Sequence, residues 1–160
     1  MKGAAIRTLI SDILQTVETL DGIVEELASY PRLSEPKPIE TRGYALLAHD
    51  FYTGLESIFE RIAAEINSGY PSGPNSHARL LRSMAMDVER VRPAVISREL
   101  FEELDELRKF RHFVRHAYGV PLRWERVREH LERIVRIYPE LKKRLNDFLG
   151  FLSELADSLG

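Results

Sequence analysis

Residues Arg111-His112-Phe113-Val114-Arg115-His116-Ala117-Tyr118-Gly119 put two arginines, two histidines and a tyrosine into eight consecutive positions. The hydrophobic pattern of a helix requires none of them there. Together they suit the cleavage of RNA. The 2′-hydroxyl of RNA is an internal nucleophile, so no metal or other cofactor is required. The enzyme takes that proton, stabilises a crowded anionic phosphorane and protonates the leaving oxygen. Histidine titrates near neutrality and suits the proton transfers. Arginine, always charged and fork-shaped, suits the phosphorane. Arg111 and His116 are therefore the candidate catalytic pair, with His112 and Arg115 in support.

Spacing alone does not single them out. With eighteen arginines and five histidines, an arginine followed after four to six residues by a histidine occurs three times: Arg42 to His49, Arg111 to His116, and Arg123 to His130. Random placement accounts for roughly one or two such hits. Only the middle one is followed two residues later by a tyrosine, contains a further Arg–His pair, and meets a helix end that exposes its last turn. On a helix His112 and His116 share one face, as do Arg111 and Arg115. Arg111 and His116 lie roughly 140° apart around the axis. One chain cannot easily aim both at one phosphorus atom, whereas a two-fold dimer can bring arginine and histidine from either chain into one cleft. Other readings stand beside these. His116 also suits a surface position at a helix C-terminus, where the dipole favours its charged form. His112 and His116 are half of a metal site, but no further ligand stands at recognisable spacing, so no metal is expected. Tyr118 also suits packing at the helix end, and His49 reads as structural.

The elements that must position these residues are helices. Apolar residues from Ile6 to Leu27 recur at three- and four-residue spacing and predict one long amphipathic helix. Pro31, Pro36 and Pro38 make about 30–39 an extended connector. A second helix is predicted over about 40–68, ended by the turn formers around Gly69–Asn75, and a third over about 76–91, closed by Arg92 and Pro93. Ser97 is a candidate N-cap for a fourth, with Glu99, Glu102 and Glu103 near its positive end. That helix runs to Tyr118, with Gly119 as its C′ residue and Pro121 blocking continuation. A fifth spans about 123–138. Pro139 opens a sixth over about 139–158. The fold class is all-α, an antiparallel bundle of four main helices with shorter ones attached, forming a single domain over 1–160.

Composition agrees with that reading. The chain of 160 residues is 44% hydrophobic and 30% charged and has no cysteine, which excludes a disulfide scaffold, a thiol nucleophile and cysteine-ligated zinc. A reducing, cytoplasmic setting follows, with neither signal peptide nor membrane span. The net charge of −2 hides an asymmetry: residues 107–144 hold twelve Lys/Arg against four Asp/Glu. Such a basic segment suits a polyanionic partner. Arg108, Lys109 and Arg123 are the candidate RNA-binding cations around the motif. The competing reading is a solvated helix face laced with i,i+4 ion pairs.

At Arg111, His116 and Tyr118 the sequence resembles the HEPN superfamily of all-α ribonucleases, whose motif is Arg-x4-His-x-Tyr, and more closely HepT-type toxins. Residues 49–63, from His49-Asp50-Phe51-Tyr52 onward, are similar to an early helix of HepT-like proteins. The likeness covers about 40–150. It implies a homodimer with the motif lining the cleft between protomers, and metal-independent cleavage of tRNA or mRNA by Arg111 and His116. It also implies a partner antitoxin, an MntA-type minimal nucleotidyltransferase that transfers AMP from ATP onto Tyr118, in a larger toxin–antitoxin assembly. Added phosphate and adenine at the cleft mouth would block RNA where Arg111 and Arg115 meet it. The residue after the motif arginine is often Asn or Asp in that superfamily. Here it is His112, which leaves its role open. Two rivals remain: a non-catalytic helical dimer that binds a nucleotidyltransferase or nucleic acid, and a helical adaptor for another protein.

Overall fold

A computed structural model describes residues 2–29, 36–69 and 72–160. Among them are five helices, α1 Gly3–Ser29, α2 Pro38–Ile66, α3 Ser76–Met84, α4 Arg98–His116 and α5 Trp124–Leu159, and no strand, only an isolated bridge between Val88 and Arg92. The all-α expectation holds. No described helix is long and apolar enough to cross a membrane.

α2 is the centre. It packs against all four other helices, so its middle is buried nearly all round, from Phe51 and Tyr52 through Leu55, Ile58 and Phe59 to Ile62. α1 lays its single apolar stripe, Ile6, Leu9, Ile13, Val17 and Leu20, against α2 and α5. The α1–α2 approach is close: a Cβ at Gly54 would stand 3.0 Å from the Leu20 side chain, tighter than ordinary van der Waals contact, so glycine lets the two helices meet there. Most of the proline-rich connector lies outside the described residues. Its last proline, Pro38, is already the first residue of α2, where a fixed φ suits the helix and the missing N–H is not needed. The backbone N–H of Lys37 donates to Glu40 Oε1 at 2.9 Å.

Two of the predicted boundaries are corrected. Pro139 does not start a sixth helix. α5 runs unbroken for 36 residues, a rod of about 54 Å. Pro139 is exposed, so the carbonyl it leaves unpaired one turn earlier faces water. Meanwhile Ile134, Ile137, Tyr138, Leu141 and Leu145 keep one buried face through the proline, and continuous burial outweighs the single lost hydrogen bond. α5 is pinned to α1 by Asp21, whose carboxylate accepts from Tyr138 Oη and, at 3.0 Å, from Lys142 Nζ. Burial works against that carboxylate, but the two hydrogen bonds and the Lys142 charge outweigh it and hold its pKa below the usual value.

The second correction is α3, which ends at Met84 rather than Val91. The chain from 85 to 97 folds around the side chain of Arg92 instead. This guanidinium is 3% exposed. Its Nε donates to Asn67 Oδ1 at 2.9 Å, its Nη1 to the carbonyls of Met86 and Pro93, and its Nη2 to the carbonyl and hydroxyl of Ser83. Side-chain donors thus satisfy carbonyls at the end of α3 that further helix would have used. The loop delivers buried Val95 and Ile96 to the start of α4. There Ser97 Oγ accepts from Leu100 N at 3.1 Å as the expected N-cap.

Candidate active site

α4 carries the motif because its two faces differ. Leu100, Leu104, Leu107 and Phe110 are buried. Past Phe110 only Val114 packs on the core, so the last turn projects from the bundle. The helix stops at His116, two residues before Tyr118. A tight turn follows in which Val120 N donates to Ala117 O at 3.0 Å, with Gly119 at φ 74°, a conformation that favours glycine. The expected end is corrected: α4 caps at Ala117, Gly119 is not its C′ residue but lies two positions later in the turn, and Tyr118 belongs to that turn and not to the helix.

Arg111 is half-buried and turned towards α2, where its Nε donates to Thr53 Oγ1 at 2.8 Å. That bond fixes the guanidinium plane and leaves both Nη groups without a partner among the described residues. His112 and His116 are exposed one turn apart, with ring centroids 4.4 Å from each other. Arg111 and the histidine pair therefore occupy different faces of α4. Arg115 is exposed and unpaired among the described residues, and Tyr118 is fully exposed. Residues 111–124 hold three arginines and no acid.

The wider basic segment is less free than its count. Arg108 is paired with Asp105 at 2.8 Å, and Lys109 lies 3.4 Å from both Asp105 and Glu106. Hydrogen bonds to Glu106 and then Asp105 raise the Lys109 pKa. Arg128 pairs with Glu132, Arg133 with Glu103 and Glu129, and Arg136 with Glu103. Arg123, at the N-cap of α5, is exposed and makes no ion pair among the described residues. Of the cations in 107–144, Arg111, Arg115, Arg123, Arg126, Lys143 and Arg144 make no ion pair among the described residues, and Arg115, Arg123 and Arg126 lie around the end of α4 and the start of α5.

The histidines of the other two Arg-to-His hits are packed into the bundle rather than exposed at a helix end. His49 is partly buried, with Nδ1 3.2 Å from Asp50 Oδ1. His130 is 6% exposed and stacks on Phe110 at 4.2 Å and 25°. Burial first, and then the Arg133 charge, hold its pKa below 6.5. Between that lowered value and about 6.5 the unfolded chain binds the proton and the folded one does not. Stability contributed by the neutral ring is therefore full above about pH 6.5 and lost as pH falls through that window. Urea melts at about pH 7.5 and 5.5 should show a larger acid loss for wild type than for His130→Phe. Equal losses would contradict a neutral buried ring.

Reading the sequence missed the surroundings of Arg111. Thr53, Glu56 and Glu60 recur at helical spacing on α2 and form a polar seam facing α3 and α4. Glu56 is 4% exposed and lies 2.9 Å from His77 Nδ1 on α3. Burial, then Glu56, raises the Glu60 pKa, while His77 and Arg111 pull against them. The available signal was three polar residues at i, i+3 and i+7 among the buried apolar residues in the middle of α2. Among the described residues no group of three His, Asp or Glu side chains is placed to hold a metal ion.

The motif thus presents one clamped arginine, two adjacent histidines and a free tyrosine at a projecting helix end. No curated protein sequence and no solved structure matches the chain. The family model described as "HepT-like protein" matches residues 43–152, which takes in α2, α3, α4, the turn bearing Tyr118 and most of α5. This is the region of the motif and of its α2 support, and it covers more than two thirds of the 160 residues. The chain belongs to the HepT-like family of HEPN proteins.

Proposed function

We propose that this chain is a metal-independent endoribonuclease toxin that cuts RNA at a site shared between two copies of itself. The observation that carries the reading is the arrangement of the motif. The Arg111 guanidinium is fixed by Thr53 with both Nη groups open, and His112 and His116 stand exposed one turn from each other on another face of α4, in a stretch without acids. In the proposed step a histidine takes the 2′-hydroxyl proton. The 2′-oxygen attacks phosphorus, Arg111 stabilises the phosphorane charge, and a second histidine gives a proton to the departing 5′-oxygen. The products are a 2′,3′-cyclic phosphate and a 5′-hydroxyl. Because Arg111 and His116 sit on different faces of α4, the partner copy supplies the missing group.

The test is a cleavage gel in excess EDTA with mixed tRNA and mRNA, wild type beside a double Arg111→Ala, His116→Ala protein. Cutting by wild type alone, with cyclic-phosphate ends, is expected. Equal cutting by both would place the chemistry elsewhere. Cutting by neither, with Tyr118 unmodified, would favour a non-catalytic helical dimer that binds a nucleotidyltransferase or nucleic acid.

Thr53→Val should keep the fold and lower cleavage about tenfold, because the guanidinium loses its orienting acceptor. An unchanged rate would mean that Thr53 does not position Arg111. A partner nucleotidyltransferase of the MntA type is proposed to silence the toxin at Tyr118. The phenol oxygen attacks the α-phosphorus of ATP, pyrophosphate leaves, and AMP remains on the ring. The Tyr118 side chain makes no hydrogen bond among the described residues, so Tyr118→Phe should leave stability within about 0.5 kcal/mol. The variant should still cut RNA, gain no AMP mass with partner and ATP, and escape silencing. Silencing of Tyr118→Phe would place the control elsewhere.

A further inference from the structure

On the side of α4 away from Thr53, a cleft of about 600 Å³ opens between the end of α4 and the start of α5. Its wall is the stacked pair Phe110 and His130, its edge is Phe113 with Pro121 and Leu122, and Arg123 and Arg126 stand among its lining residues. His130 is buried and makes no hydrogen bond among the described residues; its Nδ1 is an orphaned polar atom. That nitrogen is sealed from solvent, so an occupant of the cleft meets the rest of the imidazole ring and not this atom. Glu106 and Glu129 also line the cleft, each already near a cation, Lys109 and Arg133 respectively.

Each feature excludes a class of occupant. A purely apolar ligand would leave the imidazole and two arginines unmatched. A bare anion would leave the aromatic wall empty and meet two carboxylates. A flat heteroaromatic ring with a phosphate attached meets all of them. The ring packs on the Phe110–His130 wall, its polar edge and exocyclic amine address imidazole and carboxylate, and its phosphate lies towards Arg123 and Arg126.

We propose that this cleft is a base-reading subsite, which takes one nucleobase of the single-stranded RNA cut at the motif. The inference rests on the ribonuclease reading for its link to cleavage. Phe113 supplies that link, since it edges the cleft and lies between His112 and His116 in sequence. A nucleotide seated against it puts a neighbouring phosphate at the histidine pair. Reading a base by stacking in an unpaired strand is how proteins commonly distinguish RNA sequence.

The experiment has two arms. In the first, the full chain is titrated with 5′-AMP, GMP, CMP and UMP and with ribose 5-phosphate, following the imidazole proton signals by NMR. The His130 signal, assigned from its loss in His130→Phe, should move with at least one nucleotide and not with ribose 5-phosphate. His130→Phe keeps an aromatic ring on Phe110 and removes the orphaned nitrogen, so its melting temperature should not fall. That variant, and exposed Arg126→Ala, should each weaken nucleotide binding by about fivefold or more. Equal binding of ribose 5-phosphate, or no binding by any nucleotide, would overturn the base site. In the second arm, cut positions on short single-stranded RNAs are mapped. Wild type should prefer one base beside the cut, and His130→Phe should flatten that preference. Cutting with an unchanged preference in the variant would sink the inference and leave the ribonuclease standing. Nucleotide binding without any cutting would do the reverse.

Discussion

Alanine at either Arg111 or His116 is expected to stop RNA cleavage, and mixing the two inactive proteins is expected to restart it. Each single loss should lower the rate by about a thousandfold, since one removes the charge opposite the phosphorane and the other a proton carrier. The restart follows from the faces of α4. Arg111 is tied inward to Thr53 at 2.8 Å, while the His112–His116 pair stands exposed on another side. If one site takes its arginine from one copy and its histidine from the other, a mixed dimer keeps one intact combination. A mixed dimer has one of its two sites intact, so dimers selected through both tags should return about half of wild-type activity. The measurement is cleavage by differently tagged variants, co-expressed and purified through both tags. A mixed dimer that stays inactive would mean that both groups act within one chain. A monomer by light scattering would remove the shared cleft altogether.

Arg92→Ala should unfold the protein more readily by roughly 3 kcal/mol or more, the largest stability loss expected from any one side chain outside the apolar core. Its guanidinium serves acceptors at the end of α2, at the end of α3 and in the loop to α4. Truncation removes all five of these hydrogen bonds at once. Burial lowers the Arg92 pKa against the pull of Asp87, and every donor direction of the charged guanidinium is used. Lysine cannot replace this fork, and Arg92→Lys should recover less than half of the loss. Urea unfolding checks both variants. A change below about 1 kcal/mol would show that water replaces the donors and that the site is less closed than its 3% exposure indicates.

Part of this architecture was legible in the chain because local physics decides it. The stripe from Ile6 to Leu20, the N-cap at Ser97 and the i,i+4 contact of His112 with His116 each depend on neighbours within a turn or two. The family assignment rests on the same kind of local pattern, and the matched span of 43–152 agrees with the likeness read over about 40–150. Where local rules compete, they misled. Pro139 signals a helix start, yet the buried face from Ile134 to Leu145 carries α5 straight through it. Helical periodicity extends α3 to Val91, yet a single distant donor, Arg92, ends it at Met84.

The sequence by itself therefore determined the all-helical fold, the motif and the exposed end of α4 that bears it. Each follows from residue spacing and from side-chain chemistry that does not depend on what lies across the bundle. Only the tertiary structure decided which charges are available and which groups are held. Arg108 and Lys109 are answered by Asp105 and Glu106, while Arg115, Arg123 and Arg126 stay open. Arg111 is oriented by a threonine 58 positions away, and His130 is a neutral wall of a cleft rather than a partner of Arg123. Pairing and burial are set by contacts between distant segments, and a linear pattern carries no distance between them.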